Sequence, residues 1–129
     1  MDEEQQRMML QVRRIQQGMQ QTQQNLEQVN QQINNIERTR EGIEELSEKE
    51  QQDIVSPIGA GAYMPSLIKD SGKLLVEIGS GIVIEKKPEQ AIITLGDRKD
   101  NLLEAKNKLQ ARLRMLQKQY QQLASQIQQ

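Results

Sequence analysis

The chain has 129 residues, a formal net charge of −1 and only 2% aromatic residues, with no Phe and no Trp. A compact domain of this size normally fills its core with several large aromatic side chains, so a globular core is not expected. The absence of Cys and His removes disulfides, thiolate nucleophiles, the usual general base near neutral pH and the commonest metal ligands. We therefore expect no enzyme, no metal site and no cofactor.

Charge and hydropathy also argue against nucleic-acid and membrane binding. A nonspecific nucleic-acid binder needs a strongly basic surface, which a net charge of −1 does not provide. The most apolar run, Leu74 to Ile84, contains Glu77 and is far shorter than the about 18 residues of a membrane span. The acidic start, Met1 to Glu4, does not resemble a signal peptide. We expect a soluble, cytoplasmic protein.

The first element in chain order is a helix over residues 5–52, rich in Gln and Glu and free of proline. Steps of alternately three and four residues select a stripe in which nine of eleven positions are apolar. A sustained repeat of 3.5 residues is typical of a coiled-coil seam. The stripe comprises Met8, Val12, Ile15, Met19, Thr22, Leu26, Val29, Ile33, Ile36, Arg40 and Ile43.

The central segment, residues 54–86, changes to short apolar runs separated by glycine-rich turns. The tetrapeptide Ile58-Gly59-Ala60-Gly61 recurs twenty residues later as Ile78-Gly79-Ser80-Gly81. Runs of this length between such turns predict two linked β-hairpins. Pro65 interrupts the second run, where it cannot donate a ladder hydrogen bond, so we expect an edge or a bulge there.

The last element is a second helix over residues 88–129, and its stripe is again apolar at nine of eleven positions. The two exceptions, Lys99 and Lys106, fall at a positions, where polar residues fix register at some cost in stability. The stripe comprises Ile92, Leu95, Lys99, Leu102, Lys106, Leu109, Leu113, Leu116, Tyr120, Leu123 and Ile127.

The two stripes are equally long, which predicts an antiparallel helical hairpin in which residue i lies near residue 135 − i. Residues 1–52 carry six basic and ten acidic side chains, whereas residues 91–129 carry seven basic and three acidic ones. The two helices therefore attract each other, and two copies of either would repel. A parallel homodimer of each helix is the alternative.

The predicted β segment has apolar residues on both faces and unpaired edges, with no third helix to cover them. Such strands favour pairing with other chains. We expect several copies, or relatives, to close their hairpins into a β-barrel platform. The expected oligomerisation residues are Ile54, Ile58, Leu74, Leu75, Val76, Ile78, Ile82, Val83 and Ile84.

The pattern resembles the α-class subunit of prefoldin, in its archaeal form. The resemblance rests on Val55 to Tyr63, on Val76 to Lys86, and on Ala91 and Ile92 at the start of the second helix. It implies an α+β chain, a single domain over residues 1–129, whose two hairpins join a platform made by two α and four β subunits. It also implies that free coiled-coil tips hold unfolded clients without ATP and pass them to a group II chaperonin.

The expected client-binding residues lie where the first helix begins and the second ends. Four apolar residues within five positions cannot all face one seam, and methionine adapts to varied apolar partners. The set is Met8, Met9, Leu10, Val12, Tyr120, Leu123 and Ile127. The alternative function is a structural coiled-coil adaptor that binds one defined partner.

Overall fold

The structure is a computed structural model that describes residues 2–128. Two long helices enclose two hairpins along the chain, in the order α1 (Glu3–Leu46), β1 (Asp53–Gly59), β2 (Ala62–Leu67), β3 (Leu74–Gly79), β4 (Ile82–Lys86) and α2 (Pro88–Gln128). The predicted α+β class is confirmed. The predicted last residue of α2, Gln129, lies outside the described residues. The chain divides into two compact units, residues 2–34 with 100–128, and residues 35–99.

In the first unit the two predicted stripes pack against each other. Thr22 is only 2% exposed, and its hydroxyl donates to the Gly18 carbonyl oxygen at 2.7 Å. A Cβ added to Gly18 would meet Leu116 Cδ1 at 3.4 Å. The numbers 18 and 116 sum to 134, so the predicted antiparallel pairing is confirmed here to within one residue.

In the second unit the same pairing continues through a polar contact. Lys99 Nζ lies 2.6 Å from Glu37 Oε1, and these positions sum to 136. The start of α2 is the best-buried segment, with Ala91 at 0% and Leu95 at 8% exposure. The Lys87 carbonyl accepts the first helical bond from Ala91, and the Gln90 side chain accepts from the Lys87 N–H at 3.4 Å. The Gln90 side chain thus provides half of a capping box, without a Ser or Thr at the cap.

Helix α1 ends six residues before the predicted boundary at residue 52. Ser47 makes the last α-helical bond, to Ile43, and the chain then turns. Gln51 adopts a positive φ of 56°, and its N–H donates to the Ile68 carbonyl at 3.0 Å. Ile68 in turn donates to Gln52 at 3.0 Å. Residues 51 and 52 therefore extend the first β-ladder, which competes with the helix for the same backbone groups.

Each hairpin turns on two residues with positive φ, as a type I′ turn requires. Ala60 and Gly61 have φ values of 52° and 78°, and Ser80 and Gly81 have 50° and 76°. The repeated tetrapeptide thus encodes one turn geometry twice. The expected irregularity at Pro65 is found instead between Pro57 and Gly59.

Pro65 itself pairs regularly with Val55 in a two-stranded sheet. Each strand of such a sheet keeps one open edge, so a proline without an N–H is accommodated there. The expectation of an edge is confirmed, and the expectation of a bulge at this residue is wrong.

The two seam lysines should respond differently to replacement by leucine. Lys106 is half-buried and makes no ion pair within residues 2–128. We therefore expect Lys106→Leu to raise the free energy of unfolding by about 1 kcal/mol. Lys99→Leu leaves the half-buried Glu37 carboxylate without its nearest cation and should give no gain or a loss. Thermal denaturation of both variants measures this, and equal stabilisation by both would contradict it.

Candidate functional surfaces

The two hairpins carry most of the exposed apolar side chains of the second unit. Of the nine predicted oligomerisation residues, Ile54, Leu74 and Val76 are half-buried. Leu75 is the most exposed at 76%. The other five are also exposed, namely Ile58, Ile78, Ile82, Val83 and Ile84. The hairpins therefore present an apolar surface that residues 35–99 do not cover.

The first hairpin adds four exposed apolar side chains that the sequence analysis did not select. These are Val55, Tyr63, Met64 and Leu67, each about half exposed or more. They lie in strands β1 and β2, at both phases of the alternation. Apolar residues at both phases of a strand indicate two faces that need cover. Applied to β1 and β2, this criterion predicts the four residues.

The second hairpin is bonded to helix α2 through side chains. The Arg98 guanidinium donates to the backbone carbonyl of Glu77 in β3. Lys86 Nζ donates to Thr94 Oγ1 at 2.7 Å, and Thr94 Oγ1 donates to the Gln90 carbonyl at 3.1 Å. Charged side chains thus connect β3 and β4 to helix α2.

The predicted client-binding residues of the first unit divide into two groups. Met8, Val12, Tyr120 and Leu123 are half-buried in the seam. Met9, Leu10 and Ile127 are exposed, at 38%, 55% and 39%. The exposed group can contact another molecule without any opening of the coiled coil.

Two grooves run beside the seam in this unit, and glutamine lines both. Met19 and Tyr120 form the apolar part of one groove, whose other lining residues are Gln16, Gln20, Gln23, Gln117 and Gln121. In the second groove Ile15 and Leu123 form the apolar part, and the other lining residues are Gln11, Gln119, Gln122 and Gln126. Apolar seam residues are thereby partly accessible between uncharged, well-hydrated side chains.

The half-buried Glu37 lies between two cations of the second unit. Its Oε1 accepts from Lys99 at 2.6 Å and its Oε2 accepts from Arg40 at 2.7 Å. The hydrogen bond from Lys99, followed by the charge of Arg40, lowers the pKa of this carboxyl below its usual value of 4.5. Glu37 is therefore a structural ion-pair partner of the seam lysine.

The other acidic side chains near the end of α1, Glu41, Glu44 and Glu45 in the helix and Glu48 in the turn that follows, are exposed. Within residues 2–128 no group of three or more acidic side chains is arranged to hold a metal ion. No helix in the same residues is long and apolar enough to cross a membrane.

Comparison with known proteins identifies relatives over most of the chain. The family model described as "Prefoldin subunit" matches residues 15–129. A protein of Pyrococcus horikoshii named "Prefoldin subunit alpha" is 37% identical over 81 residues, which cover 61% of this chain and 55% of that protein. A namesake from Methanococcoides burtonii is 48% identical over 46 residues, 36% of this chain and 33% of its own length. The matched segments thus span about half or less of these relatives.

The fold also matches a solved structure. A chain from "Cryo-EM structure of filamentous PFD from Methanocaldococcus jannaschii" aligns with a TM-score of 0.79 at 18% identity. The alignment covers 88% of this chain and 95% of that one. This likeness concerns the fold alone, and it confirms the expected arrangement of helices and hairpins.

The lowered pKa of Glu37 predicts a pH dependence of stability. A carboxyl with a lower pKa in the folded state adds stability above its unfolded pKa, and this is lost as the pH falls through the folded pKa. The native chain should therefore exceed Glu37→Gln in unfolding free energy at pH 7, and the difference should shrink as the pH falls below about 4.5 and vanish once the pH is below the folded pKa. Denaturant titrations of both chains at several pH values measure this difference in unfolding free energy. Lys99→Met is the control, because it should remove most of the difference; a difference independent of pH would contradict the assignment.

Proposed function

Because this chain belongs to the prefoldin family, we propose that it is an α-type subunit of a chaperone that holds unfolded polypeptides without ATP. The observation that carries the proposal is the distribution of exposed apolar side chains. Ten of these lie on the hairpins of the second unit, and Met9 and Leu10 lie near the start of α1 in the first unit. The others are spread along the helices, namely Leu46, Ile93, Leu103, Met115 and Ile127. A chain that closes its seam but leaves these surfaces open is built to assemble and to bind.

Assembly through the hairpins is supported by the size of their apolar surface. Ten large apolar side chains of β1 to β4 are exposed. Full burial of such a side chain stabilises by about 1.5–3 kcal/mol, whereas association costs on the order of 4–15 kcal/mol. Covering most of these side chains with other subunits therefore suffices for a stable complex. We propose two copies of this chain with four β-type prefoldin subunits.

Client holding is supported by Met9 and Leu10, which lie outside the seam stripe, and by Ile127, a stripe position that is 39% exposed. A flexible thioether and an exposed leucine accept apolar segments of many shapes. Weak contacts on several arms combine through effective concentration, so affinity does not require a deep pocket. We propose that clients bound in this way are passed to a group II chaperonin. The cytoplasmic location and the absence of enzymatic activity stay predictions of the sequence.

Assembly is tested by placing charge on the exposed hairpin faces. The double change Leu75→Lys and Val83→Lys should dissociate the complex, because two ammonium groups would have to be desolvated in the platform. Helix content, followed by circular dichroism, should stay close to that of the unchanged chain. Met115→Lys is the matched control, because Met115 is also exposed, at 54%, but lies in α2. Light scattering that shows a full-size complex for the double variant would refute the platform.

Client holding is tested by changing Met9 and Leu10 together to Gln. Each substitution should remove roughly 1 kcal/mol of apolar contact between one arm and the client, which lowers the affinity about fivefold. The control pair is Leu103→Gln with Met115→Gln, which removes exposed apolar surface elsewhere on α2. Both assemblies should contain a β-type partner whose own helix ends are truncated.

The readout is suppression of aggregation of two unrelated denatured proteins. We expect protection to fall for the Met9 and Leu10 pair and to be kept by the control pair. Loss of protection with the Leu103 and Met115 pair, and not with the Met9 and Leu10 pair, would place the client-binding surface near Leu103 and Met115. Protection of a single defined partner, with none for unrelated proteins, would favour the adaptor alternative.

A further inference from the structure

Charged side chains are unevenly distributed along the helices of the first unit. Residues 5–26 and 105–128 contain eight basic side chains and no acidic one, although the whole chain has one acidic residue in about seven. We call these two stretches the basic arm. Its basic residues are Arg7, Arg13, Arg14, Lys106, Lys108, Arg112, Arg114 and Lys118. The net charge of −1 for the whole chain therefore conceals a strongly positive surface on the first unit.

Five of the eight basic side chains present exposed positive charge to solvent. Lys106 is half-buried in the seam, and Lys108 Nζ lies 3.7 Å from Glu104 Oε1. Arg7 lies beside the acidic residues 2–4 at the start of α1. The other five are exposed and form no ion pair within residues 2–128, namely Arg13, Arg14, Arg112, Arg114 and Lys118. Their charge is available to another molecule.

Two of these arginines flank the groove whose apolar part is Met19 and Tyr120. Arg13 and Arg114 each lie three residues before a glutamine that lines this groove. Residues three apart share one side of a helix, so both arginines lie on the side that carries the groove. Because the helices are antiparallel, Arg13 and Arg114 approach the groove from opposite ends.

The groove formed by Ile15 and Leu123 has a similar setting. Arg14 lies three residues after a lining glutamine of α1, and Arg112 lies two helical turns before one of α2. Met115, which is 54% exposed, follows Arg112 by three residues on the same side of α2. Each groove thus combines partly accessible apolar side chains with positive charge on both helices.

We propose that the basic arm gives this chain a preference for unfolded polypeptides in which acidic side chains accompany the apolar ones. The inference rests on the client holding proposed above and names the class of client. In an extended client segment, carboxylates close in sequence to an apolar side chain can reach the arginines beside a groove. Charge-assisted hydrogen bonds then add to apolar contact, whereas a basic segment of equal apolar content is repelled.

Solubility alone does not account for a single sign of charge. Soluble surfaces usually intersperse both signs, as residues 35–99 do with twelve acidic and nine basic side chains. Single-stranded nucleic acid is another polyanion, but proteins that bind it provide aromatic side chains for base stacking. Tyr120 is the only aromatic residue of the basic arm, and it is half-buried. An acidic polypeptide segment is therefore the occupant that the charge and the apolar grooves together favour.

Three synthetic unfolded peptides test the preference. They share one set of apolar residues and carry Glu, Gln or Lys at every position between them. Binding is measured by fluorescence anisotropy to the assembly of this chain with a β-type partner whose own helix ends are truncated.

At low ionic strength the Glu peptide should bind on the order of tenfold more tightly than the Gln peptide, and the Lys peptide least tightly. One exposed charge pair changes affinity by about 1.4–5-fold, and several act together. The three affinities should converge in about 1 M salt, where the Debye length falls to about 3 Å. Equal affinities at low ionic strength would overturn the proposal.

Arginine substitution tests whether the basic arm is the source of the preference. The double change Arg14→Gln and Arg114→Gln removes one arginine beside each groove. The advantage of the Glu peptide over the Gln peptide should then fall below about threefold, with the affinity for the Gln peptide unchanged. Arg38→Gln with Lys87→Gln is the matched control, because it removes the same charge from exposed positions of the second unit. Equal loss of the preference in both double variants would overturn the assignment to the arm.

The remaining outcomes separate this inference from the proposed function. A single-stranded oligonucleotide that binds more tightly than the Glu peptide would identify a nucleic-acid surface and overturn the inference. If the three peptides bind equally well, client holding stands and only the preference for acidic clients falls. If none of the three peptides binds, the proposed client holding is itself wrong.

Discussion

Two helices that pack on each other along a single stripe leave no interior. In the described part of the chain no large side chain is fully buried, and Leu95 is the only large aliphatic residue below 9% exposure. Seam residues such as Leu26 and Leu109 keep one side toward solvent. Apolar burial within one chain therefore stabilises it only modestly. The exposed hairpin residues provide the additional burial once other subunits cover them.

The stripes were predictable from sequence because a 3.5-residue repeat has one physical solution in a helix. Every stripe position of α1 from Met8 to Ile43 is buried or half-buried, including the non-apolar Thr22 and Arg40. Ile127 departs from the pattern, since it is 39% exposed at the end of α2, where α1 provides little cover. Glycine positions likewise predicted both turns, because positive φ at consecutive residues is rarely available otherwise.

Other features depend on contacts that periodicity does not encode. The early end of α1 reflects hydrogen bonds between Gln51, Gln52 and Ile68, which are distant in sequence. The sequence predicted an irregularity only at Pro65. The bulge lies instead between Pro57 and Gly59, next to the turn. Apolar residues at both phases of β2 predict that Tyr63 and Met64 need cover, but how far they are exposed became evident only with the strand in place. The apolar character of a face was thus predictable, but its extent was not.

Polar contacts determine how these weakly buried elements are oriented. Lys99 interrupts the apolar seam, yet its ion pair with Glu37 specifies which residues face each other. Arg98 and Lys86 similarly bond the second hairpin to α2. Such contacts add little net stability but exclude alternative arrangements, as polar seam residues do in coiled coils.

The central claim is that the hairpins depend on other subunits for their cover, and hydrogen exchange of their amides tests it most directly. Exchange should be followed at low and at high protein concentration, by residue, across residues 53–86. We expect protection of these amides to rise as the chain assembles. Equal protection of the hairpin amides in the monomer and in the assembled state would contradict it.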